Sequence, residues 1–129
     1  MDPIIIDGTQ DTPKIMLDAA NKKFEISGKS FPADVAQFYQ PVLAWIEDYA
    51  ENPLDQTVLT LKMDYFNTAS SKVILDILYR FEDISNEGHK VKIQWYYPDD
   101  DEDMKETGEE YDDIVDVEFE HIEYSVDYE

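Results

Sequence analysis

Hydrophobic residues alternate with polar ones over residues 59–63 and then recur at helical spacing over residues 73–81. The first pattern predicts a β-strand with one buried face, and the second predicts an α-helix with one apolar face. A cluster of Asn, Thr and Ser side chains at residues 67–71 separates the two patterns, and such side chains favour the start of a helix. The sequence therefore predicts a strand over residues 57–63 that leads directly into a helix over residues 68–86.

Two short hydrophobic runs lie near the N-terminus. Residues 14–18 and 24–28 each have the composition of a strand, and the short segment between them suits an antiparallel hairpin. Residues 4–6 predict a further edge strand, although the nearby Pro3 and Gly8 weaken that prediction.

A second helical pattern follows the hairpin, with apolar residues at helical spacing over residues 35–49. This helix is expected to begin near Pro32, because proline suits the first helical position, and to end at residues 52–53. Pro41 lies inside the pattern and predicts a kink or a break near Gln40, because proline cannot donate a backbone hydrogen bond.

The C-terminal third contains two further strand patterns around an acidic segment. Residues 90–97 predict a strand, and residues 99–113 predict an acidic connection with a short helix over residues 109–114. The final strand is expected over residues 115–126, with a β-bulge at residues 120–121 where the apolar phase shifts. The order β-β-α-β-α-β-(α)-β predicts an α/β fold, in which one mixed sheet packs against helices with right-handed crossovers.

Composition and charge narrow the class of protein. The hydrophobic content of 43% is typical of a globular domain, whereas the net charge of −21 repels nucleic acid and anionic membranes and favours a basic protein partner. Residues 99–129 carry 16 acidic side chains and one base, Lys105. The chain has no cysteine, no apparent signal peptide and no long apolar run. We therefore expect a cytoplasmic protein that binds neither nucleic acid nor membranes.

The sequence contains no pattern typical of catalysis or of metal binding. His89 and His121 lie outside any recognisable catalytic motif, and the four glycines cannot form a phosphate-binding loop. The acidic run over residues 99–103 places carboxylates at alternate positions, and with Glu110 it resembles a calcium loop, but Met104 occupies the position that requires glycine. We therefore expect neither an enzyme nor a cofactor or metal site. Residues 99–113 are expected to tune association rates without contributing to the core.

The hydroxyl cluster at residues 67–71 allows two interpretations. Because the start of a helix exposes unpaired N–H groups and a partial positive charge, a phosphorylated hydroxyl would be stabilised there. The local pattern alone favours the simpler interpretation, in which these side chains only cap the helix.

Three blocks of the chain resemble the SiaC family of bacterial regulatory phosphoproteins: FEISGKSFPADVAQFYQPVLAWIEDY, LTLKMDYFNTASSKVILDILYRFE and WYYPDDDEDMKETGEEY. The segment YFNTASSK is the most specific part of the resemblance. It implies that Thr68 is phosphorylated by a SiaB-like kinase and dephosphorylated by a SiaA-like phosphatase of the PP2C type. It also implies that residues 1–129 form one domain similar to the STAS domains of anti-sigma factor antagonists.

The resemblance further implies that the unphosphorylated protein binds a SiaD-like diguanylate cyclase and promotes cyclic-di-GMP synthesis and biofilm formation. Ser70 and Ser71 remain alternative phosphate acceptors or caps. The residues expected to form the partner-binding surface are Tyr65, Phe66, Asn67, Ser70, Ser71 and Lys72. The rival hypothesis is an acidic interaction or inhibitor protein that acts through its C-terminal charge, with Thr68 serving only as part of the helix cap.

Overall fold

The computed structural model describes residues 1–126, which form six strands and three helices. In chain order the elements are β1 (Ile4–Ile6), β2 (Lys14–Asp18), β3 (Lys23–Ser30), α1 (Val35–Glu51), β4 (Gln56–Phe66), α2 (Thr68–Asn86), β5 (Lys90–Pro98), α3 (Glu102–Ile114) and β6 (Glu118–Tyr124). None of these helices is both long enough and apolar enough to cross a membrane.

The strands form one mixed sheet in which neighbours in sequence are also neighbours in space. The pairings β1–β2 and β2–β3 are antiparallel, whereas β3–β4, β4–β5 and β5–β6 are parallel. The helices connect the parallel strands, and their buried residues join one hydrophobic core with alternate residues of the strands. The α/β fold class, the order of the elements and the hairpin of β2 and β3 are therefore confirmed.

The first helix begins later than expected and is not interrupted. Asp34, rather than a residue near Pro32, caps α1, because its side chain accepts a hydrogen bond of 3.0 Å from the backbone N–H of Gln37. Of the predicted kink or break near Gln40, the break is wrong, since α1 continues through Pro41. Pro41 is exposed, so the carbonyl group that it leaves unpaired can be hydrated, and buried residues on both sides of it hold the helix on the core.

The final strand is shorter than predicted and has no bulge. Its pairing with β5 keeps one register from Glu118 to Tyr124. The apolar phase changes because Phe119 lies on the helix-covered face, whereas Ile122 lies on the opposite face. The irregularity in the sheet lies instead after Gly28, whose φ of 101° favours glycine.

The acidic segment is a core element, contrary to the prediction. It forms the helix α3, which spans Glu102–Ile114 and is much longer than the predicted helix over residues 109–114. Met104 and Tyr111 are buried, and they bring α3 against β5 and β6. Residues 99–113 therefore contribute to folding as well as to charge.

Candidate functional site

The hydroxyl cluster lies at the start of α2, directly after the carboxyl end of β4. The side chain of Asn67 caps the helix by accepting a hydrogen bond of 2.9 Å from the backbone N–H of Ser70. Thr68 is the first helical residue and is exposed, while the next residue, Ala69, is also exposed. The first backbone N–H groups of a helix, here those of Thr68 and Ala69, have no carbonyl acceptor within the helix. This end of α2 therefore presents hydrogen-bond donors and a partial positive charge to solvent.

A buried chain of three hydroxyl groups fixes this helix start to the rest of the fold. Ser30, Ser70 and Tyr39 are all completely buried. Ser30 donates to Ser70 over 2.8 Å, so the 2.6 Å contact between Ser30 and Tyr39 uses the Tyr39 hydroxyl as donor. Burial raises the pKa of Tyr39. The start of α2 is thereby joined to the end of β3 and to α1.

The helix α3 packs beside the first turn of α2. The hydroxyl group of Tyr111 donates to the carbonyl oxygen of Ser71 over 2.8 Å. Burial raises the pKa of Tyr111, and the negative charge of Glu110 adds to that rise. Within the same interface, the indole N–H of Trp95 donates to the carbonyl oxygen of Met104 over 3.0 Å. These bonds hold α3 at a defined distance from Thr68.

An open cleft of about 320 Å³ separates the start of α2 from α3, and we call it the Thr68 cleft. Its lining residues are Phe66, Asn67, Thr68, Ser71, Lys72, Leu75, Thr107, Glu110 and Tyr111. Thr68 and Lys72, which lie one helical turn apart on α2, line the cleft together with Glu110 of α3, and all three residues are exposed. The cleft is thus lined by a threonine and by side chains of both charge signs.

The predicted site residues differ in accessibility. Tyr65, Thr68 and Lys72 are exposed. Asn67 and Ser71 are partly buried, and the Ser71 hydroxyl donates to the Thr68 carbonyl over 2.7 Å.

Phe66 and Ser70 also have packing roles in the fold. Phe66 is partly buried and packs edge-on against Trp95, with ring centroids 6.2 Å apart. Ser70 is completely buried, so its side chain reaches neither a partner nor a kinase in this conformation.

Sequence analysis missed three residues that border this region. Tyr111 and Glu110 lie in the segment that was expected to be a connection without a packing role. Phe31 follows β3 and lies against Tyr65, with ring centroids 5.8 Å apart. No local pattern identifies these residues, because their contacts to the Thr68 region join distant parts of the chain.

Comparison with known proteins shows which family has this arrangement. A model described as "SiaC family regulatory phosphoprotein" matches residues 6–124. The chain belongs to the SiaC family. The resemblance of the three sequence blocks to this family is therefore confirmed.

Relatives from Pseudomonas aeruginosa support the assignment. An uncharacterised protein of strain UCBPP-PA14 is 31% identical over 111 residues, which cover 86% of this chain and 88% of that protein. The crystal structure of apo-SiaC matches with a TM-score of 0.86 at 29% identity, and the match covers 95% of this chain and 99% of that one. A structure of the diguanylate cyclase SiaD in complex with its activator SiaC matches with a TM-score of 0.88 at 28% identity, covering 94% and 99%.

Proposed function

We propose that this protein is a non-enzymatic phospho-switch adaptor whose switch residue is Thr68. In this proposal the unphosphorylated protein binds and activates a diguanylate cyclase in the cytoplasm, and phosphorylation of Thr68 weakens that binding. A SiaB-like kinase and a SiaA-like phosphatase of the PP2C type set the phosphorylated fraction.

The observation that carries the proposal is the exposed hydroxyl of Thr68 at the first position of α2. Ser70 is buried, and the hydroxyl of Ser71 is engaged with the Thr68 carbonyl, so Thr68 is the most accessible hydroxyl of the cluster. A phosphate on Thr68 would lie beside the unpaired N–H groups of the helix start, where anions are stabilised. Lys72 lines the same cleft and can approach the phosphate.

The proposed switch follows from the cost of burying the phosphate. Phosphorylation adds a charge of about −1.5 to −2, and an unpaired charge of this size costs several kcal/mol when a partner covers it. Glu110 lines the same cleft, and its negative charge adds repulsion. The proposed partner surface consists of the accessible residues around the hydroxyl, namely Tyr65, Phe66, Asn67, Ser71 and Lys72. Ser70 supports this surface from below by holding the helix start.

The SiaD–SiaC complex supports the choice of effector, because SiaC is the activator in that complex and shares the fold of this chain. In that complex the diguanylate cyclase is SiaD and SiaC is its activator, which supports an adaptor role for this chain.

Intact-mass measurement after incubation with the cognate kinase and ATP tests the acceptor. The wild-type protein should gain one phosphate, and Thr68→Ala should gain none, whereas Ser71→Ala, the matched control, should still be labelled. Titration of the diguanylate cyclase with both forms of the wild-type protein then tests the switch. Full labelling of Thr68→Ala would reject the acceptor, and equal affinities of the two forms would favour the rival hypothesis of a purely acidic interaction protein.

A further inference from the structure

We propose that Phe31 and Tyr65 form an aromatic anchor that holds an apolar segment of the effector, flanked by basic residues, beside Thr68. This inference rests on the proposed function, because it assigns the contact that the unphosphorylated adaptor makes with its cyclase. Phe31 has no role in the sequence analysis, and its position is apparent only in the folded chain.

The structure brings the two rings together at the edge of the sheet where Thr68 lies. Strands β3 and β4 are parallel there, with Ser30 opposite Phe66, so the residue after β3 and the residues at the end of β4 meet. The backbone N–H of Asn67 donates to the carbonyl oxygen of Ser30 over 3.1 Å. Phe31 therefore follows directly on a residue bonded to the helix cap, and its ring contacts that of Tyr65 edge-on at 5.8 Å.

The exposure of this ring pair is its main anomaly. Phe31 retains 39% of its accessible surface and Tyr65 retains 51%, although the two rings contact each other. Many other aromatic side chains of the chain pack into the core. Two contacting exposed rings form a preorganised apolar surface, and aromatic side chains in such surfaces are frequent anchors of protein interfaces.

The charges beside the rings indicate the chemistry of the occupant. The backbone N–H of Phe31 donates to the carbonyl of Asp11 over 2.8 Å, and Asp11 is exposed, as is Asp34 three residues after Phe31. Asp64 precedes Tyr65 and is also exposed, as is the base Lys29, two residues before Phe31. An apolar segment with flanking Lys or Arg residues complements this surface, and a second copy of the chain, with its net charge of −21, does not.

The position of the anchor favours the effector over the modifying enzymes. A kinase and a phosphatase must reach Thr68 and leave it again, which requires only a transient contact. The adaptor–effector complex must last long enough for the cyclase to act, and burying two aromatic rings supplies a contact of that kind. The anchor also explains how the modification can act, because the effector segment held by these rings would lie next to the new phosphate.

The experiment measures the dissociation constant of the unphosphorylated protein for the diguanylate cyclase of the same organism. Phe31→Ala and Tyr65→Ala should each weaken binding about 10- to 50-fold, since each removes the apolar contact of one ring. The double variant should lose less than the product of the two, because the rings act as one unit. Asp64→Asn should slow association and reduce its dependence on salt.

Tyr79→Ala is the matched control. Tyr79 is a comparably exposed tyrosine at 40%, and it lies on α2 roughly 16 Å along the helix from Thr68. Its substitution should change the dissociation constant less than twofold. Urea unfolding of every variant separates loss of binding from loss of fold, and Phe31→Leu, which keeps an apolar side chain, provides a second variant if Phe31→Ala is unstable and should itself bind several-fold more weakly.

The outcomes distinguish the anchor from the switch. If phosphorylation releases the cyclase from wild-type protein but folded Phe31 and Tyr65 variants bind normally, the anchor is wrong and the proposed function stands. If the wild-type protein does not bind the cyclase, both are wrong. If the variants bind the cyclase normally but are phosphorylated more slowly, the rings serve the kinase. If the variants change only the self-association of the protein in sedimentation, the occupant is a second copy of the chain. Either of these last two results overturns the proposal.

Discussion

Gly108 of α3 provides a sharp test of how this helix forms the wall of the Thr68 cleft. A Cβ atom placed on Gly108 would lie 2.4 Å from both Cδ1 and Nε1 of the Trp95 indole. The indole is completely buried, and its N–H group donates to the carbonyl oxygen of Met104 in the same helix. Gly108→Ala should therefore push α3 away from the sheet or displace the indole.

The expected effect is a net loss of stability, although alanine is the better helix former. Replacing a helical glycine with alanine contributes about 1 kcal/mol of stability in a site without contacts. Overpacking a well-filled interface costs about 1–3 kcal/mol, and leaving the buried N–H of Trp95 without its acceptor costs a further 1–3 kcal/mol or so. The sum leaves Gly108→Ala less stable by about 1–5 kcal/mol, a large share of the roughly 5–15 kcal/mol that stabilises a typical domain.

Urea unfolding followed by circular dichroism measures the change. The substitution should cost at least 1 kcal/mol less in a Trp95→Phe background, because the shorter ring relieves the clash and lacks the indole N–H. Glu106→Ala, at an exposed position of the same helix, should change stability by less than about 0.5 kcal/mol. A stabilisation of about 1 kcal/mol by Gly108→Ala would show that helix propensity alone acts at this position, and the described packing of α3 would then be refuted.

Two further predictions concern α3. Asp101→Ala should lower the free energy of unfolding in urea by about 1 kcal/mol, because the Asp101 side chain caps α3 by accepting a 3.0 Å hydrogen bond from the backbone N–H of Met104. The control Glu109→Ala should have little effect, and equal effects of the two substitutions would contradict the capping role. The free energy of unfolding should also fall as the pH rises above about 10, because burial raises the pKa of Tyr111 and the unfolded chain releases this proton before the folded chain does. Tyr111→Phe should make this decline shallower between pH 10 and 11, and an unchanged slope would contradict the assignment, although Tyr39 contributes in the same direction.

The elements that the sequence predicted best are those whose burial follows a regular period. The helix predicted over residues 68–86 matches α2, because its apolar side chains recur on one face that the sheet covers. The strand before it was also predicted, since Leu59, Leu61 and Met63 alternate with polar residues. In these segments the local pattern and the tertiary environment agree.

The helix α3 was predicted poorly because its position depends on few contacts. Seven of its 13 residues are acidic, and its buried residues, Met104, Gly108 and Tyr111, are too few to give a clear hydrophobic period. The contact that explains Gly108 is with Trp95, which belongs to a different element. A glycine inside an acidic segment predicts a loop when its packing partner is unknown.

The candidate site shows the same division. The strand–helix junction and the exposed hydroxyl of Thr68 follow from local sequence, whereas the cleft beside it does not. The bond from Tyr111 to Ser71 and that from Ser30 to Ser70 each join residues 40 positions apart. Such contacts depend on the order of strands in the sheet, which a local pattern cannot specify.

The acidic character of the chain sets a condition on the proposed switch. A phosphate on Thr68 makes the protein more negative, so it increases the long-range attraction to a basic partner even as it weakens the complex. Two charges acting on a unit charge 10 Å away in water contribute about 0.8 kcal/mol before screening, and physiological salt reduces this several-fold. Covering an unpaired phosphate costs several kcal/mol, so this local cost should outweigh the long-range attraction.

Phosphorylation should therefore shorten the lifetime of the complex at every salt concentration, while its effect on the association rate should be small and should vanish at high salt. Stopped-flow and dissociation measurements separate the two rates, and a phosphorylated protein that dissociates as slowly as the unphosphorylated one would show that the effector does not cover Thr68.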